Sequence, residues 1–446
     1  MVALALALAV TTAAQAQQTA PMAKNITMWT ADGSPQYVWV EQTLPEFTQQ
    51  TGIQVDFQKF PEQGIIDKYQ VAMTAHSTDF DIFEAPEPLA PQYQALGAMA
   101  PLDPFFSNSA ATPASFNVSD IPSGTTAECT LGGKTYCLPI FGTVPMLWYN
   151  KSLFSQAGIT TPPQAWSDVI ADAQMLTNDQ QAGICMRGSA DAPNAFPAQM
   201  MMLYYLPYSP DNKGIFLDST WQPLLSTPGG HAFAQDYSQL MHQYAPQGVG
   251  AYGFTDCQQA FAESKVAMWY DDSAISARLY NPKLYPLAAN LAPVLGFVEL
   301  PCPATNPNAC LLSAPWGISI NANVSADRQN AAYELLKWIT SKEMQLREVQ
   351  ATSDPSFATR VSVLDTLSSG AVQTDVPKDL LTALKYGYTH ISPNAFPQTP
   401  AFNEMQQPLK VALSDIITGQ SDPDAAMDSA NSQILDILKQ AGLVGG

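Results

Sequence analysis

The chain has 446 residues, beyond the roughly 250 to 300 at which a single hydrophobic core stops growing, so at least two lobes are expected. Only 13% of the residues are charged and 36 are proline, which implies a surface rich in neutral polar groups and rigid loops. With 39 acidic residues against 19 basic ones the formal charge is -20, and no stretch clusters Lys and Arg, which argues against nucleic acid and anionic membrane as partners.

The chain opens with MVALALALAVTTAAQAQQ, an apolar run from Val2 to Val10 followed by small residues and an Ala14-Gln15-Ala16 triplet. This is the pattern of a signal peptide, residues 1–16, cleaved after Ala16. The run is shorter than the ~20 apolar residues a bilayer span needs, and no Cys beside the cleavage site accepts a lipid. A soluble, exported protein that is not a lipoprotein is expected.

After the signal, KNITMWTADG reads as a first strand running into a turn, and PQYVWVEQTLPEFTQQTG spaces Val38, Val40, Leu44 and Phe47 along one face of a helix that a glycine ends. IQVDFQKF alternates like a strand, KYQVAMTA reads as a second helix, and DFDIFEA as a short buried strand with a polar end. This βαβ succession predicts an α/β fold with an open parallel sheet covered by helices. Ligands of such sheets bind beyond the carboxyl ends of the strands, where Trp29, Asp32 and Glu84 fall.

KTYCLPIFGTVPMLWYNKSLFSQAG is an extended, proline-punctuated run that reads as a crossing between lobes. PPQAWSDVIADAQML and HAFAQDYSQLMHQYA are helical by spacing; Trp166 is assigned to the core, and Met200, Met201 and Met202 to gap filling within it. CQQAFAESK is a short helix leading into VAMWYDDSAI. On a strand, Asp271 and Asp272 point to opposite faces, so the expected division has Asp271 facing a ligand while Asp272 and Ser273 start the next helix. LLSAPWGISI gives a strand carrying Trp316, and SADRQNAAYELLKWITSKEMQLREV reads as one long helix with Trp338 in the core. Beyond Arg360 the pattern is mainly helical, ending with DAAMDSANSQILDILKQ.

The even set of cysteines agrees with export. Cys129 and Cys137 bracket a Gly132-Gly133 turn, Cys302 and Cys310 bracket a Pro- and Asn-rich loop, and Cys185 and Cys257 remain as a long-range bridge. None of the spacings suits a zinc site, and neither a metal nor a cofactor is expected.

The histidines, His76, His231, His242 and His390, are scattered, and no H-E-x-x-H, G-x-S-x-G or phosphate-loop motif occurs. A glycosidase needs two carboxylates facing one bond across ~5 to 9.5 Å, which neighbours on a strand do not supply. The rival reading, a secreted carbohydrate-active enzyme, would pair Asp271 with a remote partner. A sugar site needs flat aromatic surfaces for C–H faces and charged or amide groups for hydroxyls. Trp269, Trp316, Asp271 and Arg360 are of the right types, although packing is the commoner role of a lone tryptophan.

In order along the chain, ITMWTA, TGIQVDFQ, FDIFEAP, GKTYCLPIFGTVPMLWYNKSLFSQAGI, PPQAWSDVIADAQML, FAESKVAMWYDDSA and SAPWGISINANVSADRQNAAYELLKWITS together resemble the extracellular solute-binding proteins of ABC importers, of the carbohydrate-binding type that includes maltose-binding proteins. GICMRG, KVAMWYDDSA and ATR…SPNAFPQTPAFNEM look like the branch that binds sugar alcohols such as sorbitol and mannitol. The Cys302 to Cys310 loop and SADAPNAFP depart from that branch and leave ligand size open.

The resemblance implies two α/β lobes, each discontinuous, closing on a ligand by hinge bending. The lobes would comprise residues 17–141 with 312–355, and 142–311 with 356–446, crossing near 139–148, 302–314 and 353–360. It implies a monomeric periplasmic subunit, without catalysis, that delivers a sugar alcohol, monosaccharide or small oligosaccharide to membrane permease subunits. Arg187, Asp271 and Arg360 would lie near the ligand, Trp269 and Trp316 would line the cleft with Phe141 and Phe396, and Trp29, Asp32 and Glu84 would serve from the first lobe.

Overall fold

A computed structural model describes residues 21–32, 35–86, 89–126, 129–190, 195–274, 276–300, 316–391 and 396–445. In chain order the strands are β1 (Asn25–Ala31), β2 (Gln54–Phe60), β3 (Ile82–Pro86), β4 (Thr130–Leu131), β5 (Lys134–Thr135), β6 (Cys137–Phe141), β7 (Pro145–Asn150), β8 (Ala182–Cys185), β9 (Val266–Asp272), β10 (Leu295–Val298) and β11 (Trp316–Ile320). They form a sheet of order β2-β1-β3-β11-β6, a second of order β10-β7-β9-β8, and the small β4-β5 hairpin.

The first sheet begins as the βαβ pattern dictates. β1 pairs in parallel with β2 and β3, and the helices Pro35–Thr51 and Glu62–Thr74 make the crossovers. β11 returns from far along the chain to run antiparallel between β3 and β6. In the second sheet β9 is parallel to β8 and antiparallel to β7. All seven residues of β9 are buried, the mark of a central strand covered on both faces. The fold is therefore the expected α/β type with two sheets.

Residues 142–144 carry the chain from β6 in one sheet to β7 in the other. This crossing is tied down by backbone and hydroxyl groups: Gly142 N–H donates to the Ser356 carbonyl at 2.8 Å, and Val144 N–H to Ser273 Oγ at 3.2 Å. The helices Val361–Ser368 and Lys378–Thr389 lie at the junction. They pack against helices Lys342–Thr352 and Ser123–Thr126 on one side, while Tyr388 Oη donates to the Gly142 carbonyl on the other.

The long helix read from SADRQNAAYELLKWITSKEMQLREV is two helices, Ala326–Ile339 and Lys342–Thr352. Ser341 interrupts it because its hydroxyl accepts the Met344 N–H, an N-cap inside an otherwise helical pattern. The Thr340 carbonyl freed at the break accepts Arg360 Nε at 2.6 Å.

Cys129 bonds Cys137 and Cys185 bonds Cys257, with Cα separations of 5.4 and 5.6 Å. Gly317 packs directly on the first bridge; a Cβ there would sit 2.1 Å from Cys137 Sγ. The expected Cys302–Cys310 pair and the signal segment 1–16 lie outside the described residues.

Candidate functional site

β8 and β9 run parallel with Cys185 opposite Trp269, and continuing that register two residues puts Arg187 opposite Asp271. Arg187 Nε donates to Asp271 Oδ2 at 2.8 Å, and Nη2 donates to Asp271 Oδ1 at 2.5 Å. Nη2 also reaches Asp272 Oδ2 at 3.0 Å. The guanidinium carbon lies 4.9 Å from the Phe254 ring centre and 5.3 Å from that of Phe196. Two carboxylates, one guanidinium and two aromatic rings thus meet at the carboxyl ends of two parallel strands.

The expectation that Asp271 and Asp272 part to opposite faces is corrected. The strand ends at Asp272, and both side chains turn onto the same guanidinium. Asp272 does not start a helix: its Oδ1 accepts the Ala274 N–H at 2.7 Å, and the next helix begins only at Ala277. Burial and then the neighbouring Asp271 push the Asp272 carboxyl up to about 6, against the pull of Arg187. Burial also opposes the Arg187 charge, yet Asp271 and Asp272 outweigh it and hold its pKa above the ordinary arginine value.

Phe396 joins this wall. Its ring is stacked 6.4 Å from Phe196, with planes 8° apart, and meets Phe402 edge-on at 5.7 Å. One turn along from Phe196 and Phe402, Gln199 Nε2 donates to Gln406 Oε1 at 3.1 Å. Asn403, on the helix of Gln406, reaches Gln92 Oε1 at 3.4 Å. Gln92 belongs to helix Ala90–Ala95, which follows β3, so the second-sheet wall touches first-sheet elements here.

On the first sheet, Glu84 is buried in β3 amid three phenols, Tyr37, Tyr69 and Tyr93. Burial and then the Glu84 charge raise all three above the ordinary tyrosine range. Tyr69 Oη donates to the Trp29 carbonyl at 2.7 Å and accepts the Glu84 N–H at 3.2 Å. Trp29 is 5% exposed, packed among Phe60, Tyr69 and Phe80, with Lys68 Nζ 4.2 Å from its ring centre, so only its edge reaches the surface. Asp32, one residue past β1, is exposed. Trp316 opens β11 half-buried, its backbone between those of Pro86 and Phe141, and Phe141 packs edge-on against Phe357.

Two sequence-derived site residues are not brought to this place with a usable surface. Trp269 is fully buried among Trp148, Phe254 and Phe261, so it offers no face to a ligand. Phe254 meets Trp269 edge-on at 5.2 Å, and its ring centre lies 4.9 Å from the Arg187 guanidinium carbon. Arg360 is 1% exposed, and its Nη1 donates to the carbonyls of Phe116 and Asn117. With Thr340 and Asp120 as further partners it pins a loop and a helix break, while its Nη2 is buried without a hydrogen-bond partner. Trp338, assigned to the core, is only half-buried against Phe47, where it lines an outer groove of about 730 Å³.

Phe196, Phe254 and the tyrosines around Glu84 were not singled out by sequence. For Phe254 the signal existed. The bridge between Cys185 and Cys257 draws together the residues beside it, and Arg187 and Phe254 stand two and three positions from the bridged cysteines. Chemically the second wall offers charge-assisted hydrogen-bonding groups between aromatic faces, which suits hydroxyls. Both Asp271 oxygens accept from Arg187, and Oδ1 also accepts the Asp272 N–H at 2.8 Å, which leaves acceptor capacity on Oδ2.

Residues 30–346 match the family model described as bacterial extracellular solute-binding protein. A mannitol-binding protein of Pseudomonas aeruginosa is 25% identical over 343 residues, 74% of this chain and 75% of its own. An erythritol/L-threitol-binding protein of Mycolicibacterium smegmatis is 27% identical over 341 residues, 72% of this chain and 68% of its own. Among solved structures, an ABC transporter solute-binding protein of Agrobacterium radiobacter in complex with ribitol superposes with a TM-score of 0.77 at 23% identity, over 93% of this chain and 99% of that one.

Proposed function

The chain belongs to the bacterial extracellular solute-binding proteins, and on that premise we propose that it captures a sugar alcohol between two lobes and hands it unchanged to the permease of an ABC importer. Its place in the family makes it a binding protein rather than an enzyme. The observation that carries the ligand class is the Arg187, Asp271 and Asp272 cluster between Phe196 and Phe254. Its groups donate to and accept from hydroxyls, while two carboxylates on one guanidinium leave excess negative charge that disfavours anionic ligands. Relatives named for mannitol and for erythritol and L-threitol support the same class.

In this reading the ligand lies between the Arg187 wall, with Phe396, and the Trp29, Asp32 and Glu84 wall, with Trp316 and Phe141 at the crossing. The lobes comprise residues 17–141 with 312–355 and 142–311 with 356–446, with helices Val361–Ser368 and Lys378–Thr389 nearest the junction. Only a ligand touching both walls rewards closure, so closing follows from its differential affinity for the closed form. A monomer working in the periplasm completes the proposal. Native mass spectrometry of freshly purified protein tests it: a co-purified polyol, or an adduct formed with mannitol, ribitol or erythritol, is expected. No adduct across polyols and simple sugars would reject it.

A further inference from the structure

Two buried carboxylates that play no part in the ligand wall sit at the crossing between the sheets. Glu348, on helix Lys342–Thr352, is 4% exposed, and its Oε1 has no hydrogen-bond partner. Asp354, two residues past that helix, is equally buried, and its Oδ1 accepts the Ser356 N–H at 3.0 Å. Ser356 touches both sides of the hinge. Its carbonyl accepts the Gly142 N–H of the crossing segment, and its Oγ donates to the carbonyl of Ser273, just beyond β9.

The groups facing this pair come from two helices. Arg278 and Tyr280 lie on helix Ala277–Tyr280, and Tyr388 on helix Lys378–Thr389. Tyr280 Oη donates to the Ser353 carbonyl and Tyr388 Oη to that of Gly142, so both phenols stay neutral anchors. Arg278 is the cation that Asp354 feels, while Glu348 feels Asp354 as a like charge. One cation near two buried acids leaves room for a proton.

We propose that Glu348 and Asp354 form a proton-controlled hinge, in which protonation of these buried acids favours lobe closure and its loss favours opening. The proposal rests on the two-lobed reading above but not on the identity of the ligand. Burial raises Asp354 to about 6 and Glu348 well above the ordinary carboxylate range. A carboxyl whose pKa is raised in one conformation favours that conformation at low pH and ceases to as pH rises through the raised value. Closure is therefore favoured below about pH 4 to 5 and weakened on the way past about 6. Each unit by which opening lowers the pair's pKa changes the closing equilibrium about tenfold.

The test uses the ligand-free protein, so it does not depend on which solute binds. Lobe separation is followed by energy transfer between labels on the two lobes from pH 4.5 to 8. Wild type should become measurably more open with rising pH, Asp354→Asn and Glu348→Gln should each show a smaller response because one buried acid remains, and the double variant should stay closed across the range. Melting curves confirm that all three variants fold. A wild-type separation that does not move with pH, or an unchanged pH response in the double variant, would overturn the proposal. Polyol affinity measured in parallel separates this from the ligand assignment: a pH-insensitive protein that binds polyols defeats only the hinge.

Discussion

Arg187 and Asp271 meet through two parallel hydrogen bonds, Nε to Oδ2 and Nη2 to Oδ1, with Asp271 fully buried. Neither charge has enough water near it to stand alone. Removing one partner of such a pair typically costs about 3 to 5 kcal/mol because the other is left uncompensated. Arg187→Met is therefore expected to lower stability by that order and to abolish polyol binding, as read by denaturant melts and calorimetric titration.

Asp272 makes stability depend on pH. Burial and Asp271 raise it from 3.8 to about 6 in the folded chain. Its contribution is then fully present below about pH 4 and is lost as pH rises through about 6. Wild type should lose on the order of 1 to 3 kcal/mol between pH 4.5 and 8 from this group, and Asp272→Asn should flatten that part of the profile. An equal slope in both proteins would show that Asp272 is not the titrating group.

Much of the fold was legible because β1 to β3 and their helices follow simple period-two and helical spacing. The site was less so. Adjacent residues on an ideal strand diverge, and nothing local revealed that β9 ends where Asp271 and Asp272 can converge on Arg187, 85 positions away from Asp272. Trp269 and Arg360 were of suitable types, but whether an aromatic or an arginine faces a cleft depends on what packs over it. Phe254 and Phe261 cover Trp269, and the carbonyls of Phe116, Asn117 and Thr340 claim Arg360. The helix break at Ser341 lay within reach of sequence, since serine is a favoured N-cap.

Trp269 should behave as a core residue. Trp269→Ala is expected to cost about 3 to 5 kcal/mol, while Trp269→Phe should keep polyol affinity within a few-fold of wild type. A large loss of affinity in Trp269→Phe at unchanged melting temperature would restore Trp269 to the ligand wall.

The two bridges among the described residues should differ in worth. Cys185–Cys257 closes a loop of sequence separation 72, Cys129–Cys137 one of 8. Loop-closure entropy gives about 4 and about 2.5 kcal/mol respectively. Replacing the first pair by alanine should lower the denaturation midpoint more than replacing the second. It should also weaken polyol binding, since this bridge holds Arg187 near Phe254.

Isothermal titration of the purified, ligand-stripped protein with mannitol, ribitol and erythritol, followed by recovery of the polyol, tests the central claim most directly. Saturable one-to-one binding of at least one polyol, lost in Arg187→Met and with the polyol recovered intact, is the predicted result. No heat from any of the three, or recovery of a chemically altered polyol, would contradict it.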